Sequence, residues 1–362
     1  MNLTLPTEMI EIITERKEWD EAVNFAVHSD FYHTYYYHNL SKKENETPVL
    51  IKYKDAHSCV LLPLLVREIE NTDYKDATSV YGYAGVLCLT EILNFDNENF
   101  RKELNQYFLD QKIVTIFSRL HPYIEHQEDV LDGLGTISNP GDVVFIDMQE
   151  PLDIQRQQYS SRLKTHVNKA QRLCTILDGK TEEHIQAFMD IYYENMRRVN
   201  ATDGYFFSEH YFYQLMISSD FKTELKLCIH NETQEIIAGA LFIKTDDIVQ
   251  YHLSGIKEEF LNINPIKFVI DSVRIQATNE DYKYFNLGGG RSNKQDSLFS
   301  FKASFSKNFK PFKLWKYIVD KNVYGDLVKE QEEKELGMSF EIDKEFFPAY
   351  RRKLINQNST SD

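Results

Sequence analysis

The chain has 362 residues, with 42% hydrophobic and 27% charged residues and a formal net charge of −15. This length suits about two domains at ~100–200 residues each, and the composition is typical of a globular protein. Binding of a nucleic-acid duplex or of a whole transfer RNA normally requires a basic face on the protein, so the acidic balance argues against it. The same balance argues against adsorption to anionic membranes.

The four cysteines, Cys59, Cys88, Cys174 and Cys228, are widely spaced and form no C-x-x-C pair. This spacing favours free thiols in a reducing compartment over a disulfide framework or a zinc site. The N-terminus has no basic region followed by an apolar core, so we expect no signal peptide. No apolar run approaches ~18 residues, so we expect no membrane span and a cytoplasmic protein.

Short strands and helices alternate along the first 148 residues. Alternating apolar residues and helical spacing predict these elements in order: strand 10–14, helix 15–29, strands 49–53 and 58–66 around a turn at 55–57, strand 78–86, helix 100–110, strand 113–120, a turn at 139–141, and strand 143–147. An aromatic run at 31–38 could line a cleft, although burial in a core is the more usual role of such residues.

The second half begins with helices and continues with a meander. The predicted elements are helices 161–172, 182–199 and 208–217, strands 224–229, 236–244 and 248–254, helix 264–279, strand 284–287, strand 312–320 and helix 324–336. We therefore predict one domain at 1–148, a second at 149–325, and a charged C-terminal helix and tail at 326–362. A weak internal duplication is consistent with this order.

Three consecutive glycines follow the predicted strand 284–287, and a lysine among phenylalanines, Lys302, lies shortly beyond them. Glycine lacks a Cβ, so its backbone can adopt positive φ and approach a ligand closely. Aromatic neighbours would desolvate the lysine and either fix its charge or shift its pKa. The alternative is an ordinary strand-to-helix turn and a lysine on an ordinary strand whose head group reaches solvent.

Basic residues are concentrated at 161–172, inside an otherwise acidic protein. The cations of this segment are Arg162, Lys164, Lys169 and Arg172, together with His166 when it is protonated. They form either a solvated helix face or an anion pocket for a phosphate or a carboxylate.

Five segments together resemble the FemABX branch of the GNAT acyltransferase superfamily and the related BioF2-like acetyltransferase domains. These segments are 161–170, 237–240, 251–255, 285–289 and 301–305. The resemblance covers most of the chain and is to the type without a coiled-coil arm. It implies an α/β (α+β) protein with tandem GNAT-like domains that face each other across a cleft, each with a mixed, mostly antiparallel sheet flanked by helices.

The resemblance also implies site residues for the transfer of an acyl group to an amine. In this class a Phe-Lys pair contacts the donor and supports the tetrahedral intermediate, and the matching residues are Phe301 and Lys302. The other residues expected to bind the donor are Gly288, Gly289, Gly290, Arg291 and Arg162. The residues expected to bind the acceptor, from the first domain, are Tyr81, Tyr83, Arg119 and His33.

Two residues are candidates for the base that removes a proton from the attacking amine. His252 suits this role because the pKa of histidine lies near neutral pH, and the alternative is a histidine of the core. Asp296 is the second candidate, and the alternative is a carboxylate that caps a helix. Proximity of the two substrates can supply much of the rate, so a dedicated base is not required.

The acyl donor stays open between acyl-CoA and aminoacyl-tRNA. Residues 255–265 lack the Q/R-x-x-G-x-G/A loop that holds the CoA pyrophosphate at a helix N-terminus in many GNAT enzymes. We expect no metal and no permanently bound cofactor, with acyl-CoA as a co-substrate under the first option. Under the second, the 3′ end of tRNA is the only nucleic acid expected to bind.

The expected function is N-acylation of an amino sugar or a cell-wall peptide, in cell-envelope or surface-polysaccharide biosynthesis. The alternative is a catalytically silent GNAT-like module that binds such a ligand without turnover. Both functions require a binding site, but only the enzyme requires Lys302 for turnover.

Overall fold

The computed structural model describes residues 9–55, 58–88, 95–291, 295–335 and 345–352. Its α-helices are α1 (Arg16–Asn24), α2 (Tyr35–Ser41), α3 (Asn97–Asp110), α4 (Gln127–Leu131), α5 (Leu152–Gln157), α6 (Ser161–Leu173), α7 (Glu182–Arg198), α8 (Glu209–Ile217), α9 (Pro265–Asn279), α10 (Ser297–Ala303) and α11 (Lys321–Glu335). Its strands are β1 (Ile10–Ile13), β2 (Glu46–Lys54), β3 (Cys59–Glu68), β4 (Lys75–Thr78), β5 (Leu87–Cys88), β6 (Ile113–Arg119), β7 (Thr136–Asp147), β8 (Cys174–Gly179), β9 (Lys222–His230), β10 (Ile236–Thr245), β11 (Ile248–Ile256), β12 (Tyr284–Gly288) and β13 (Asn308–Ile318).

The described residues form two compact units. The first takes its residues from 1–28, 41–139 and 313–362, and the second from 29–40 and 140–312. This division differs from the predicted domains at 1–148 and 149–325, because two segments belong with the half of the chain that is distant in sequence. The predicted turn at 55–57, the end of the helix 324–336 and the C-terminal tail lie partly or wholly outside the described residues.

Non-local packing explains both differences. The segment 29–40 belongs to the second unit because its aromatic rings pack there: Phe31 meets His252 edge-on, with ring centroids 5.6 Å apart. The C-terminal segment belongs to the first unit because β13 pairs with β6, from Leu314 opposite Arg119 to Ile318 opposite Thr115. Neither pairing has a signal in the local sequence.

In each unit the strands pair in the same pattern of antiparallel and parallel neighbours. In the first unit the order is β1, β2, β3, β4, β6 and β13, with β5 beside β3; in the second it is β8, β9, β10, β11, β12 and β7. The described pairings are antiparallel except for β4 with β6 and β11 with β12, which are parallel. The predicted mixed α/β architecture, with mostly antiparallel sheets flanked by helices, is therefore confirmed.

Each unit has its own apolar core. In the first unit, Phe100 and Phe108 of α3 are buried with Trp315 of β13 and Leu62 of β3. In the second, α6 and α9 pack with the central strands through buried residues such as Val167, Val269 and Phe242. The aromatic run 31–38 also contributes to burial, because Phe31, Tyr32 and Tyr37 are at most 4% exposed.

Two predicted elements differ from the structure. The predicted strand 78–86 is extended only at its start, because β4 ends at Thr78 and the chain then turns through Gly82 and Gly85 at φ +123° and +68°. The predicted turn at 139–141 is instead part of the twelve-residue strand β7. Pro140 fits there because its fixed φ is compatible with an extended strand and only its hydrogen-bond donor is missing.

Gly255 on β11 allows α7 to pack directly against the strand. A Cβ at this position would lie 2.8 Å from the backbone oxygen of Ile191 and 3.0 Å from the Cα of Tyr192. Because helix backbone cannot move aside like a side chain, we expect Gly255→Ala to lower the free energy of unfolding by ~1–3 kcal/mol through overpacking. Denaturant unfolding measures this loss. Gly204→Ala is the control, since a Cβ there meets nothing within 4 Å, and an equal loss in both variants would contradict the packing argument.

Candidate active site

The parallel strands β11 and β12 diverge at one point in the second unit. Their pairing covers three residue pairs, from Ile248–Tyr284 to Gln250–Asn286, although β11 continues to Ile256. Each strand has an extra residue just beyond the last pair: His252 in β11, relative to β10, and Leu287 in β12, relative to β7. Bulges of this kind bend a strand and re-aim its side chains. The parallel ladder therefore ends at Gln250 and Asn286, next to the glycine turn.

The glycine turn and Lys302 come together beside this divergence. Gly288 ends β12 with φ +77°, in the left-handed region that glycine adopts without strain. The next residue, Gly289, accepts a hydrogen bond of 2.7 Å from Nζ of Lys302. The structure thus joins the two features that the sequence singled out, and it places Lys302 on the short helix α10 and not on a strand, because Asp296 caps a helix there.

The surroundings of Lys302 shift its pKa. The side chain is half-buried, and burial lowers the pKa of Lys302 to about 8, while the negative charge of Asp296 acts in the opposite direction. A lysine of this kind is mostly charged at neutral pH but gives up its proton more easily than an exposed lysine. It can therefore act as a cation held in place by a backbone carbonyl, or as a proton carrier.

Asp296 is the N-cap of α10. Its Oδ1 accepts from the N–H of Phe299 at 2.9 Å, and its Oδ2 accepts from the N–H of Arg291 at 3.1 Å. Burial raises the pKa of the Asp296 carboxyl, but the N–H groups of Phe299, Arg291 and Leu298 lower it more, so the pKa lies below its ordinary value. Such a carboxylate is a weak base. The geometry favours the capping alternative and makes Asp296 the counter-charge of Lys302.

His252 lies at the bulge of β11 and is half-buried. Burial lowers the pKa of His252 to about 3, and the Asp30 carboxylate offsets this only in part. Its Nε2 lies 2.8 Å from the hydroxyl oxygen of Tyr211. A histidine with this pKa stays neutral at physiological pH and accepts a proton weakly. This arrangement favours a positioning role over that of a general base.

A cluster of cations lies where α6 meets the start of α9. Arg162, His166 and Lys169 are spaced to share one face of α6, and Nζ of Lys267 lies 2.7 Å from Nδ1 of His166. Burial lowers the pKa of Lys267, and so does Arg162. Burial also lowers the pKa of His166, as do Lys267, Arg162 and Lys169. Every charged neighbour that shifts these two pKa values is a cation, so this cluster is suited to an anion.

Phe301 contacts the cation cluster and precedes Lys302 in the chain. Its ring centroid is 6.0 Å from Nζ of Lys267, and the ring packs edge-on against Phe305 at 5.6 Å. Phe301 and Lys302 are consecutive residues of α10, so one short helix carries both the expected donor contact and the amine of lowered pKa. Lys267 had no signal in the sequence, because the segment 264–279 is otherwise an ordinary amphipathic helix.

Of the four residues expected to bind the acceptor, three lie in the first unit. Tyr81 and Tyr83 are in the segment between β4 and β5, and Ser79 of that segment accepts from the N–H of Arg119 at 3.2 Å. His33 lies instead in the second unit, fully buried. Its Nδ1 accepts the N–H of Asp30 at 2.9 Å and so caps a turn of 3₁₀ helix. This correction follows from the packing of 29–40 with the second unit.

The described ranges contain neither a metal-ligand cluster nor a helix that could span a membrane. Within these ranges, no group of three or more His, Cys, Asp or Glu side chains is arranged to hold a metal ion. None of the helices described is both long enough and apolar enough to cross a bilayer.

The second unit's pattern of a meander, a crossover helix and a diverging parallel pair is that of a GNAT-like fold, of the type found in FemX. The structure of FemX matches 87% of this chain and 99% of its own, with a TM-score of 0.66 and 14% identity. L-PGS from Bacillus licheniformis matches 89% of this chain and 97% of its own, with a TM-score of 0.55 and 12% identity.

A third structure has the same fold: the DUF2156 domain at the C-terminus of a proposed lysylphosphatidylglycerol synthetase from Agrobacterium fabrum. It matches 90% of this chain and 99% of its own, with a TM-score of 0.51 and 14% identity. No protein-family profile and no curated protein sequence matches the chain. At these identities the likeness establishes the fold, and the chemistry must be argued from the site.

Proposed function

We propose that this protein is an N-acyltransferase that forms an amide bond between an acyl group on a phosphate-bearing donor and an amine. The observation that carries the proposal is Lys302, held by the carbonyl of Gly289 with a pKa of about 8, beside the point where β11 and β12 diverge. The acceptors we propose are amino sugars and cell-wall peptides, which fits a role in the cell envelope. The fold shared with FemX supports this reaction class.

The chemistry follows from the charge that develops during acyl transfer. When the amine attacks the carbonyl carbon of a thioester or an ester, negative charge accumulates on the carbonyl oxygen. A donor that is already in place stabilises this charge without reorganisation, which is typically worth ~10²–10³ in turnover. Lys302 can donate one N–H to Gly289 and another to the developing oxyanion, because an ammonium group has three donors.

The cation cluster of Arg162, His166, Lys169 and Lys267 is our candidate for the donor's phosphates. Phe301 of α10 contacts Lys267 of this cluster and precedes Lys302 on the same helix, so in this proposal a bound donor contacts the cluster with its phosphates and Lys302 with its acyl carbonyl. The cluster takes over the role of the missing Q/R-x-x-G-x-G/A loop by means of side chains. Both acyl-CoA and an aminoacylated RNA 3′ end carry the phosphates that this site would bind.

A direct assay tests the proposal. The purified protein is incubated with acetyl-CoA or with an aminoacylated RNA minihelix, together with a panel of amino sugars and cell-wall peptides, and amide products are measured by mass spectrometry. We expect one donor class to give turnover that depends on Lys302. Binding of these ligands without turnover, in a folded protein, would contradict the enzyme and favour a silent binding module.

A further inference from the structure

Three buried side chains connect a distant part of the chain to the glycine turn. They are Asp30, Gln250 and Asn286, which are 0%, 2% and 1% exposed. Nε2 of Gln250 donates to Oδ2 of Asp30 at 2.6 Å, and Nδ2 of Asn286 donates to Oε1 of Gln250 at 2.7 Å. Oδ1 of Asn286 then accepts the N–H of Gly288 at 3.1 Å. We refer to Asp30, Gln250 and Asn286 as the amide relay.

Elementary chemistry fixes the direction of this relay. An ionised carboxylate only accepts hydrogen bonds, and both oxygens of Asp30 do so, since Oδ1 accepts the N–H of Phe31 at 2.7 Å. A backbone N–H, such as that of Gly288, only donates. Two amides placed between an acceptor and a donor can satisfy every bond in only one orientation. Rotating either amide by 180° would place two donors or two acceptors face to face in the protein interior, which costs free energy.

The relay ends at the residue before the carbonyl that holds Lys302. Gly288 provides the positive φ of the turn, and Gly289 provides the oxygen to which Nζ of Lys302 donates. The last parallel pair of β11 and β12 is Gln250–Asn286 itself. Two relay members therefore form the last residue pair before the strands diverge, and the third comes from the segment 29–40.

We infer that Asp30, Gln250 and Asn286 are positioning residues: the Asp30 carboxylate orients both amides, and the amides fix the glycine turn whose carbonyl aims Lys302. The segment 29–40 thereby supplies the buried carboxylate at which the relay begins. The effect of the relay on the turn is structural and does not depend on any reaction. Its consequence for turnover rests on the function proposed above.

A charge swap tests the relay. In Asp30→Asn, the new amide still accepts from Phe31 but presents N–H groups to Gln250. One donor-to-donor contact must then remain in the relay, and it lies at Gly288 if both relay amides turn over. In Asn286→Asp at pH 8, two carboxylates compete for the amide hydrogens of Gln250. The double variant Asp30→Asn with Asn286→Asp reverses the relay and satisfies every bond again, including that of Gly288.

The readout is hydrogen exchange of the Gly288 amide, measured by mass spectrometry at pH 8 on the full chain. We expect each single variant to exchange at least ~10-fold faster, because one buried contact of the relay is left unsatisfied and the turn opens more often, and the double variant to return to the wild-type rate. The control is Asp271→Asn, which removes a buried carboxylate bonded to Tyr159 and Arg274. It should lower the melting temperature without changing exchange at Gly288.

Labelling of Lys302 provides a second readout that a loss of stability alone would not change. The pH profile of its reaction with acetic anhydride should have a midpoint near pH 8 in the wild type. In Asp30→Asn the midpoint should rise toward the value of ~10.4 of an exposed lysine, because a released turn allows water to reach the amine. Asp296 is the charge that acts directly on Lys302, so a shift caused by Asp30→Asn indicates an effect through the turn.

The outcomes are decisive in either direction. A double variant that exchanges as fast as the single variants, or an Asp30→Asn protein with wild-type exchange at Gly288, overturns the relay. Should a single variant fail to fold, the relay still requires the double variant to fold, and a double variant that also fails overturns it. Both readouts need no substrate. If both readouts support the relay but the protein shows no acyl transfer, only the proposed function is contradicted.

Discussion

Replacing Lys302 with methionine is expected to reduce turnover by ~10²–10³, the usual effect of removing a donor that stabilises an oxyanion. The protein should stay folded, because methionine has a similar length and removes a charge whose burial is unfavourable, as its pKa of about 8 shows. The loss of the hydrogen bond to Gly289 opposes that gain. We therefore expect a small change in melting temperature and a large change in turnover, measured on the same preparation.

The matched control is a methionine substitution at another lysine, Lys329 of α11, which is exposed and lies in the first unit. Lys329→Met should keep full turnover. A Lys302→Met protein that is folded and as active as this control would remove the central residue of the proposed mechanism. A Lys302→Met protein that does not fold would show that the bond to Gly289 is structural, and Lys302→Arg, which keeps the charge, would then be the variant to assay.

The pH dependence of turnover gives an independent test of the same residue. If charged Lys302 stabilises the oxyanion, turnover should fall as pH rises through about 8, because a lowered pKa means that the charge is lost at that pH and not above 10. Lys302→Arg should lack this fall, since a guanidinium stays charged above pH ~12. If Lys302→Arg still showed the fall of turnover above pH 8, the fall would have to come from a group other than Lys302.

The local parts of the site were predictable from the sequence. A strand followed by glycines indicated a turn, and a lysine among aromatic residues indicated a desolvated amine. The hydrogen bond from Nζ of Lys302 to the carbonyl of Gly289, which joins the two, was not predicted. The capping alternative for Asp296 was also available from its position before a helix. These features depend on a few consecutive residues, so local rules of backbone freedom and capping are sufficient.

The remaining parts depend on pairings between distant segments. Asp30 and Gln250 are separated by 220 positions, and His166 and Lys267 by 101, so no window of the sequence contains either pair. One local signal was present: Asn286 is a polar residue in the apolar strand 284–287, and a buried amide requires partners. It predicts that a relay exists, but only the fold identifies Gln250 and Asp30 as its members.

The cation cluster leads to the second large effect, on binding of the donor. We expect Lys267→Met and Arg162→Met each to weaken donor binding by about tenfold, the usual worth of a hydrogen bond to a charged group. Turnover at saturating donor should change little, because contacts to phosphates far from the reacting carbonyl are the same in the ground state and the transition state. The measurement is donor affinity by calorimetry, with Lys329→Met as the control.

Salt dependence then shows whether the cluster binds phosphate and which donor it accepts. The logarithm of the affinity should fall linearly with the logarithm of the salt concentration, and each lost cation that contacts a phosphate should reduce this slope by about 1. Because acyl-CoA carries few phosphates and an RNA 3′ end carries more, the wild-type slope distinguishes a shallow CoA-like dependence from a steep RNA-like one. A Lys267→Met protein with unchanged affinity and unchanged slope would place the phosphates elsewhere.

Burial and Arg162 lower the pKa of Lys267, and a bound phosphate would oppose both effects by its negative charge. Donor binding at this cluster should therefore also take up protons near the pKa values of Lys267 and His166.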